Sequence, residues 1–523
     1  MKKKLFKTRL LSFAAFCGLA LAFASCANED IAQSTTGTDN ENDKNLTTFV
    51  AGDEAKTRTS LDYNTGAFYW EAGDKIYVKD DDGTWQVSNN APTAKVASFK
   101  FKVPGKFKNH TTYKVYYPGK SGNRNQVTIP AAQTQTTPNT TEHFGTSGDC
   151  GTADAAKQSN GSFAFSLDHK AAYLVFQPYT SNTVLKDCYL TKIEVSSDNS
   201  ITHTYTLDPT TGDLTGTGSG KQIILTTKGS GSYANGFPLN TTSASVATNG
   251  AYMIIKPGTH ILKIRYWVKD VATNVEGTIT KVLSSFNYVK NTYYDMTASL
   301  DVKEYDGDHY YMWDAQDQYW KGHEWNQGGS QPTLRQGLTG ATTSNDYAQS
   351  SSDSRYYNDS YPGYGISNPA IHSCKDLPNV NEMAWYALKG DPRWDADELW
   401  TTMGHLYKGG MWFKKKAHII GFRDDKLPDG TDRRVSGTNA ITNSSLTSSL
   451  PSASEANQFF YLPALGWYNV GKLLTVGSAG GYWSSSAYHS YVKYAYSMEF
   501  TSTLVRVGTM GYRHYGCRVQ AFE

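Results

Sequence analysis

The sequence has few charged residues and no long apolar run beyond its first 25 positions. Asp, Glu, Lys and Arg make up 19% of the 523 residues, whereas about 25% is usual for a soluble domain. The chain lacks the extended basic patches that bind nucleic acid. Because no apolar stretch of transmembrane length follows the N-terminus, a polytopic membrane protein is excluded. The Ala-, Glu-, Lys- and Leu-rich composition of a long helical protein is also missing.

Tyrosine, glycine and small polar residues take the place of the missing charges. The chain contains 36 Tyr and 46 Gly. Tyr, Thr and Val favour strands, while Gly and Asn favour turns. This composition is typical of an extracellular protein made mostly of β-structure. At about 150 residues per domain, the length indicates about three domains.

The first 26 residues resemble a bacterial lipoprotein signal. Five positively charged residues precede the apolar stretch Leu10–Ala24, as in a secretory signal peptide. Residues 23–26 resemble a lipobox, in which Cys26 becomes the acylated first residue; an ordinary secretory signal is the alternative. Removal of 1–25 lowers the formal net charge from +2 to −3. The following Asn28–Asp30 resembles the acidic tag that directs Bacteroidetes lipoproteins to the cell surface.

Four of the six cysteines remain once Cys17 is cleaved off and Cys26 is acylated. In an oxidising exterior, four cysteines allow three pairings. Pairing within each region of the chain is the simplest expectation. It predicts two disulfides: Cys150 with Cys188, and Cys374 with Cys517.

Strand-like segments follow a polar tether at 26–45. Lys75–Lys79 alternates between polar and apolar residues, and Asp82-Gly83 is a hairpin turn. Such strands at regular spacing predict two β-sandwiches. We place the first at 46–160, where it ends in a Thr-, Asn- and Gly-rich stretch, and the second at 161–303.

The last third of the chain has a different composition. Nine of the 12 Trp residues lie from Trp313 onward. One helix is predicted to begin near Asn379, with Val380, Met383 and Leu388 on one face. A second is predicted after Asp395, where Glu398 completes a capping-box pattern, Leu399, Met403 and Leu406 share a face, and Gly409-Gly410 ends the helix. These features predict an α+β domain at 310–523.

Residues 47–302 resemble the fimbrillin-like proteins of Bacteroidetes, which are the subunits of type V pili. The resemblance depends on short motifs that occur in order: Thr57–Thr59, Trp70–Ile76, Tyr116–Pro118, Ile129-Pro130, Gln133, Leu167–His169 and Asn291–Tyr294. It implies two tandem transthyretin-like β-sandwiches.

The resemblance also implies processing and assembly by strand exchange. In this family a trypsin-like protease cuts after a basic residue near the N-terminus, and a neighbouring subunit's strand fills the resulting groove. Arg58 or Lys56 is then the processing site. The alternative is that Arg58 is an ordinary solvent-facing residue. Other pilin subunits are the expected partners, and the outer membrane is contacted through the lipid.

Residues 310–523 resemble a C-type-lectin-like module. The matching motifs are Tyr311–Ala315, Leu377–Asn379 with Glu382, Leu462–Gly466, Gly481–Ser486 and Arg513–Val519. In that fold a Cys beside the first helix is bridged to one in the last strand, which favours Cys374–Cys517. The Glu-Pro-Asn and Trp-Asn-Asp triplets of calcium-dependent lectins are absent.

Aromatic side chains are therefore the candidates for binding a glycan or a protein, with core packing as the alternative for each: Trp313, Tyr319, Trp320, Trp325, Tyr488, Tyr491 and Tyr494. We predict no metal and no cofactor, because Asp306–His309 and His323-Glu324 lack a ligand spacing typical of a metal site. The acidic loop 424–432 is interpreted as a solvated loop, with a calcium ion in the loop as the alternative. No catalytic motif is present, and the two cysteines of the last domain are too far apart in sequence for the reactive pair of formylglycine-generating enzymes.

These inferences predict a surface lipoprotein of the fimbrillin type that functions as a tip adhesin. The donated strand in this family comes from the C-terminal end of the pilin, and here about 200 residues follow that end. Donation is therefore expected to be blocked. The alternatives are a lipid-anchored binding protein outside the pilus, or a pilus anchor that keeps its lipid.

Overall fold

The computed structural model describes residues 45–51, 60–63, 67–327, 345–359, 370–437, 439–509 and 512–523. The predicted signal sequence, Cys26, most of the tether and both predicted processing residues, Lys56 and Arg58, lie outside the described residues. Within those ranges the chain is mostly β-structure, as its composition predicts. No helix there is both long enough and apolar enough to cross a membrane.

Twelve strands are described between residues 45 and 169: β1 (Leu46–Ala51), β2 (Ser60–Asp62), β3 (Ala67–Tyr69), β4 (Tyr77–Lys79), β5 (Trp85–Val87), β6 (Phe99–Pro104), β7 (Thr112–Tyr117), β8 (Gln126–Ile129), β9 (Ala132–Thr134), β10 (Gly151–Lys157), β11 (Phe163–Phe165) and β12 (Asp168–His169). Most of them form one sheet in the order β5-β4-β7-β10-β11-β1-β6, with β12 paired to β10. An aromatic core containing Trp70, Phe101 and Phe163 packs against this sheet.

The middle of the chain contains a further twelve strands and one short helix: β13 (Ala172–Tyr179), β14 (Tyr189–Ser197), β15 (His203–Leu207), β16 (Leu214–Thr217), β17 (Gln222–Thr226), β18 (Phe237–Pro238), α1 (Val246–Asn249), β19 (Ala251–Ile255), β20 (Gly258–His260), β21 (Leu262–Lys269), β22 (Glu276–Val282), β23 (Phe286–Tyr288) and β24 (Thr292–Ser299). One sheet has the order β19-β13-β24, and a second contains β9-β17-β14-β21-β22. Both contribute to a single buried core.

Two strands of the predicted first sandwich pair with later strands instead. β8 pairs with β15, and β9 runs parallel to β17. Phe144 and Cys150 likewise belong to the core of the middle region. The chain therefore enters the second core before residue 130 and returns to the first sheet at β10. The predicted domain boundary at 160 therefore has paired strands on both sides of it: β8 and β9 lie before it, and their partners β15 and β17 lie after it.

Eleven strands and one helix follow: β25 (Tyr310–Tyr311), α2 (Val380–Lys389), β26 (Arg393–Thr402), β27 (His405–Lys414), β28 (Ile441–Asn443), β29 (Phe459–Pro463), β30 (Trp467–Asn469), β31 (Lys472–Leu474), β32 (Ala479–Ala487), β33 (Ala495–Thr501), β34 (Val505–Gly508) and β35 (Cys517–Arg518). A sheet of order β25-β35-β32-β33-β34-β28 packs with α2 around a second aromatic core. Helix plus sheet agrees with the predicted α+β character of this region.

Helix α2 begins where the sequence predicts. The Asn379 side chain accepts from the N–H of Glu382, and the Glu382 carboxylate accepts from the N–H of Asn379, so a full capping box is present. Val380 and Met383 are buried as predicted, but Leu388 is exposed. The buried face continues through Ala387 instead.

The second predicted helix is wrong: residues 393–414 form the β26–β27 hairpin. Met403 and Gly404 form its two-residue turn with positive φ angles of 48° and 73°, the backbone geometry that hairpin turns favour. Leu399 and Leu406 are buried as predicted, but they reach the core of the middle region from two antiparallel strands. Because the turn has only two residues, Leu399 and Leu406 lie seven positions apart, which is also a spacing that places two residues on one face of a helix.

This hairpin joins the C-terminal region to the middle region. β26 runs parallel to β22, with Thr278 opposite Glu398, and continues the sheet as β22-β26-β27-β29. Residues 303–305 also bond to Thr401: the Tyr305 N–H donates to the Thr401 carbonyl, and the Thr401 N–H donates to the Lys303 carbonyl. The two regions therefore share one sheet.

Candidate functional site

Strand β1 lies inside the first sheet, between β6 and β11. It pairs antiparallel with β6 over all six residues and parallel with β11 over three. Its sequence, LTTFVA, places Phe49 and Ala51 on the same side. Both side chains are fully buried. A strand of six residues thus fills a groove between two others.

Phe49 is the main side chain that β1 contributes to the core. Its ring stacks on Phe163 with 5.1 Å between centroids, and it meets the edge of Phe107 at 5.1 Å. Beyond it, Phe101 packs against Trp70 at 4.9 Å. Removal of β1 would expose this aromatic surface and leave β6 without its hydrogen-bonded neighbour.

The chain after β1 is attached to a different part of the protein. The Tyr63 hydroxyl donates to Asp295 Oδ1 at 2.8 Å, in β24. Phe68, in the β2–β3 hairpin, stacks on His169 with 4.6 Å between centroids. Residues 52–59, which include both predicted processing residues, connect β1 to this hairpin. A cut within 52–59 would separate β1, together with the chain before it, from the hairpin and its contacts with Asp295 and His169.

A buried polar cluster lies beneath the hairpin. Asp149 Oδ1 accepts from the Tyr173 hydroxyl at 2.6 Å and from His169 Nδ1 at 2.9 Å. All three side chains are buried. Burial, together with the charge of Asp149, raises the pKa of Tyr173 well above its usual value. Phe68 of the hairpin packs on the rings of His169 and Tyr173, so the cluster supports the hairpin from below.

Three of the predicted ligand-binding aromatics are part of the core. Trp313, Tyr319 and Trp320 are at most 1% exposed. The Trp313 indole donates to the Ser484 carbonyl, and Tyr319 stacks on Tyr468 with 4.9 Å between centroids. These rings are already covered by protein, so they cannot contact a ligand without unfolding. Composition alone does not distinguish a core Trp from a surface Trp.

Trp325 is half-buried beside the turn of the β26–β27 hairpin. Its indole edge lies beside Gly307 and over the turn at Gly404, where an added Cβ would lie 3.5 Å from its ring. It packs against the C-terminal core.

Tyr488, Tyr491 and Tyr494 do reach the surface, together with two residues that sequence analysis missed, Tyr512 and His514. We call these five residues the tyrosine patch. Tyr494 stacks on Tyr512 with 4.8 Å between centroids, and Tyr512 stacks on His514 at 5.1 Å. The sequence signal is the three aromatic residues within 512–515, but only the fold shows that this segment lies against the 488–494 loop.

Asp306, Asp308 and His309, the possible metal ligands in the sequence, pair with one another and with Arg518. Asp306, Asp308 and His309 offer ligand atoms within 4.8 Å of one another. His309 Nδ1 lies 2.6 Å from Asp306 Oδ1 and 2.7 Å from Asp308 Oδ1, and Arg518 is 3.4 Å from Asp306. Hydrogen bonding to Asp306 raises the pKa of His309 and that of Asp308. The cluster is an exposed ion-pair network.

The acidic loop 424–432 is organised in the same way. Asp425 pairs with Arg423, and Asp432 pairs with Arg434. Asp429 accepts from the N–H and hydroxyl of Thr431. These carboxylates already have partners in the loop, which fits the solvated loop that the sequence favours.

All four cysteines of the described residues are buried free thiols in the structure, so neither predicted disulfide is formed there. Cys374 and Cys517 nevertheless belong to one small apolar cluster, and Cys150 and Cys188 both belong to the core of the middle region. Burial raises the pKa of each thiol. Each pairing stays a prediction.

The joint between the middle and C-terminal regions contains buried charges. Arg265 of β21 forms a 2.9 Å ion pair with Asp395 of β26, and both side chains are less than 10% exposed. Trp412 also donates to Asp395. Glu398 accepts from the N–H and hydroxyl of Thr280. Burial of the Glu398 carboxyl group, followed by the charge of Asp395, raises its pKa to about 7.

No protein-family model and no curated protein matches the chain. Similar solved structures include a protein with a proposed cell-adhesion role from Bacteroides ovatus, which is 12% identical over 49% of this chain and 93% of that chain, with a TM-score of 0.30. The fimbrial anchor protein Mfa2 from Porphyromonas gingivalis is 11% identical over 47% and 83%, with a TM-score of 0.21. A fimbrial protein from Bacteroides ovatus is 11% identical over 90% and 98%, with a TM-score of 0.22. TM-scores this low do not establish a shared fold.

Proposed function

We propose that the protein is a cell-surface pilus subunit of the fimbrillin type that accepts a neighbouring subunit's strand in place of β1. The observation that carries the proposal is the position of β1. It is a short strand inside a sheet, it fills an aromatic groove, and it directly precedes the segment that contains Lys56 and Arg58. Acylated Cys26 would hold the uncut protein in the outer membrane, and cleavage would release it from the lipid.

The groove has the properties that strand addition requires. An incoming strand would gain main-chain hydrogen bonds from β6 and β11 and would cover the rings around Phe101 and Phe163. Until it arrives, that surface and the exposed edge of β6 are unfavourable in water. Cleavage therefore produces a subunit with a strong tendency to accept a partner's strand.

The C-terminal region supports a terminal position in the pilus. It follows β24 directly and is joined to β22 by the buried pair Arg265–Asp395. Release of a C-terminal donor strand from the middle region would have to disrupt this joint. The subunit would accept a strand without donating one, as a tip subunit does, and its C-terminal region would contact the ligand.

N-terminal sequencing of the surface protein tests the proposal. We expect a new N-terminus after Lys56 or Arg58 in assembled pili, and loss of assembly in the double variant Lys56→Gln and Arg58→Gln. Lys75→Gln, which changes a basic residue beyond the β2–β3 hairpin, is the matched control and should assemble normally. An acylated Cys26 at the start of the assembled protein would contradict the proposal.

That same result would favour the second candidate function, a lipid-anchored surface protein or pilus anchor that keeps β1. The observation in its favour is that β1 packs well in the uncut chain, with Phe49 fully buried. Immunogold labelling separates the tip position from the others: a tip subunit is found at filament ends, whereas an anchor is found at the cell surface.

A further inference from the structure

The tyrosine patch is held in place by a buried arginine. The Arg513 N–H donates to the Lys493 carbonyl at 2.9 Å, and its Nε donates to the Tyr494 carbonyl at 3.1 Å. The guanidinium lies 4.4 Å from the centroid of Trp313 and is fully buried. A backbone bridge also joins Tyr494 to Tyr512. The two segments that form the patch are therefore fixed relative to each other before any ligand arrives, which lowers the entropy cost of binding.

The outer rings of the patch are open to solvent. Tyr491 is 50% exposed and Tyr512 is 40% exposed. Tyr491 and Tyr494 lie 5.3 Å apart between centroids, and Tyr494 continues the stack to Tyr512 and His514. A row of a few rings is much smaller than the roughly 800 Å² that each partner buries in a standard protein–protein interface. It fits a narrow ligand with apolar faces and hydroxyl groups.

The patch also carries an unpaired positive charge. Lys493 is exposed, and none of the ion pairs among the described residues includes it. Burial, followed by the charge of Lys493, lowers the pKa of His514, so that imidazole is neutral near pH 7. Lys493 is then the cation that an approaching ligand meets, although the chain without residues 1–25 has a net charge of −3.

We propose that the tyrosine patch binds an acidic carbohydrate, with sugar rings against Tyr491 and Tyr512 and a carboxylate or sulfate group near Lys493. The C–H bonds on a pyranose face are attracted to the electron-rich face of a tyrosine ring. The phenol hydroxyls supply hydrogen bonds to sugar hydroxyls. This inference rests on the proposed ligand-binding role of the C-terminal region and names the class of ligand.

Three polymers with one backbone test the proposal: dextran sulfate, carboxymethyl dextran and unmodified dextran of equal length. Each is passed over the immobilised mature protein. We expect one or both acidic polymers to bind about tenfold or more tightly than dextran, and added salt to reduce the difference. The two acidic polymers distinguish sulfate from carboxylate as the recognised group. Equal binding of all three, or no binding of either acidic polymer, would overturn the proposal.

Variants locate the binding surface. Lys493→Gln should reduce the binding of the acidic polymers to the level of dextran, whereas Lys416→Gln, at another exposed lysine, should have no effect. Tyr512→Phe should bind more tightly than Tyr512→Ala, because it keeps the ring. If Lys416→Gln and Lys493→Gln weaken binding equally, the attraction is a general property of surface lysines and the proposal is wrong.

Measuring whether each variant is incorporated into pili tests strand exchange separately from carbohydrate binding. We expect Lys493→Gln to be cleaved and assembled normally, because Lys493 is far along the chain from the β1 groove and exposed. A protein that binds acidic polymers through the patch but never enters a pilus would contradict strand exchange alone. A protein that assembles but binds a host protein through these tyrosines, with no preference for acidic polymers, would contradict the ligand class alone.

Discussion

At the scale of single residues, Asp314 organises the C-terminal region. It is fully buried and has a positive φ of 54°, a conformation that few residues other than Gly adopt without cost. Its carboxylate accepts from the N–H groups of Ile371, His372 and Cys374, and from the side chain of Asn358. One carboxylate therefore holds together three stretches of chain that carry no regular structure.

Replacement of Asp314 by Ala should destabilise this region strongly. Three N–H groups would lose their acceptor, and unsatisfied buried donors cost about 1–3 kcal/mol each. We expect the free energy of unfolding, measured in urea, to fall by about 2–4 kcal/mol. Asp308→Ala, at a carboxylate of the exposed cluster, should change it by less than about 1 kcal/mol. Equal effects of the two substitutions would show that the Asp314 bonds contribute little.

At the scale of elements, strand β1 and the β26–β27 hairpin are the two pieces that determine what the protein can do. β1 contributes one large, fully buried side chain, Phe49, from only six residues. The hairpin gives the middle core Leu399 and Leu406, and gives the joint Asp395 and Glu398. Each element packs against residues more than 50 positions away in the chain.

Phe49→Ala should weaken the attachment of β1. Loss of a buried Phe side chain costs about 3–5 kcal/mol, and here that cost falls on a six-residue strand. We expect trypsin to cleave the 52–59 segment of the variant faster than that of the unaltered protein, and β1 to dissociate after the cut. Thr48→Ala, at the neighbouring half-buried position, should change neither the rate of cleavage by trypsin nor the rate at which β1 dissociates. Retention of the cleaved β1 peptide by Phe49→Ala would contradict this role.

The Glu398 carboxyl group should make the joint weaker as the pH rises. Its pKa in the folded protein, about 7, is above the ordinary value of 4.5. The protonated form is therefore favoured by folding, and its full contribution to stability is present below about pH 4.5 and lost as the pH rises through 7. Asp395 and Arg265 are the charges that act on it.

Urea unfolding at a series of pH values between 5 and 8 checks this direction. We expect the stability difference between the unaltered protein and Glu398→Gln to change by a measurable amount across that range, with the unaltered protein losing relative stability at high pH. Identical pH profiles for the two proteins would mean that Glu398 titrates as it does in the unfolded chain.

At the scale of the whole molecule, one sheet connects the middle and C-terminal regions through β22 and β26. The pair Arg265–Asp395 holds this connection, since both side chains are buried and lie 2.9 Å apart. The sheet and the ion pair join the C-terminal region to the middle region in addition to the chain between them. Force on a bound ligand would then pass through the sheet instead of through a flexible linker.

Asp395→Ala should loosen the whole molecule at this joint. Arg265 would be left buried without its partner, which typically costs about 3–5 kcal/mol. We expect faster proteolysis of residues 303–310 in the variant. Replacement of both residues by apolar ones, Arg265→Met with Asp395→Leu, should recover most of the loss. Asp425→Ala, which breaks an exposed pair with Arg423, should not change the rate of cleavage.

The features that the sequence predicts correctly depend on contacts between residues close together in the chain, whereas those it misses depend on contacts between distant residues. The start of α2 is local, because Asn379 and Glu382 bond to each other's backbone, and the sequence predicts a helix that begins near Asn379. The hairpin at 393–414 was predicted as a helix because a Met-Gly turn is a weak sequence signal, and the pairing of β26 with β22 cannot be seen from either segment alone. The same reason hides the tyrosine patch: Tyr494 and Tyr512 are neighbours only after folding.

The pairing of β1 determines the direction of any strand that replaces it. β1 runs antiparallel to β6 and parallel to β11, so an incoming strand that makes both sets of hydrogen bonds must run the same way. It must also place a large apolar residue two positions before a small one, to match Phe49 and Ala51. A contact of this kind is heterologous, so subunits that both accept and donate a strand form a filament with two different ends rather than a closed ring, and a subunit that only accepts one lies at an end. Subunits would therefore add with one polarity, and a donor strand with the reverse order of large and small residues would be rejected.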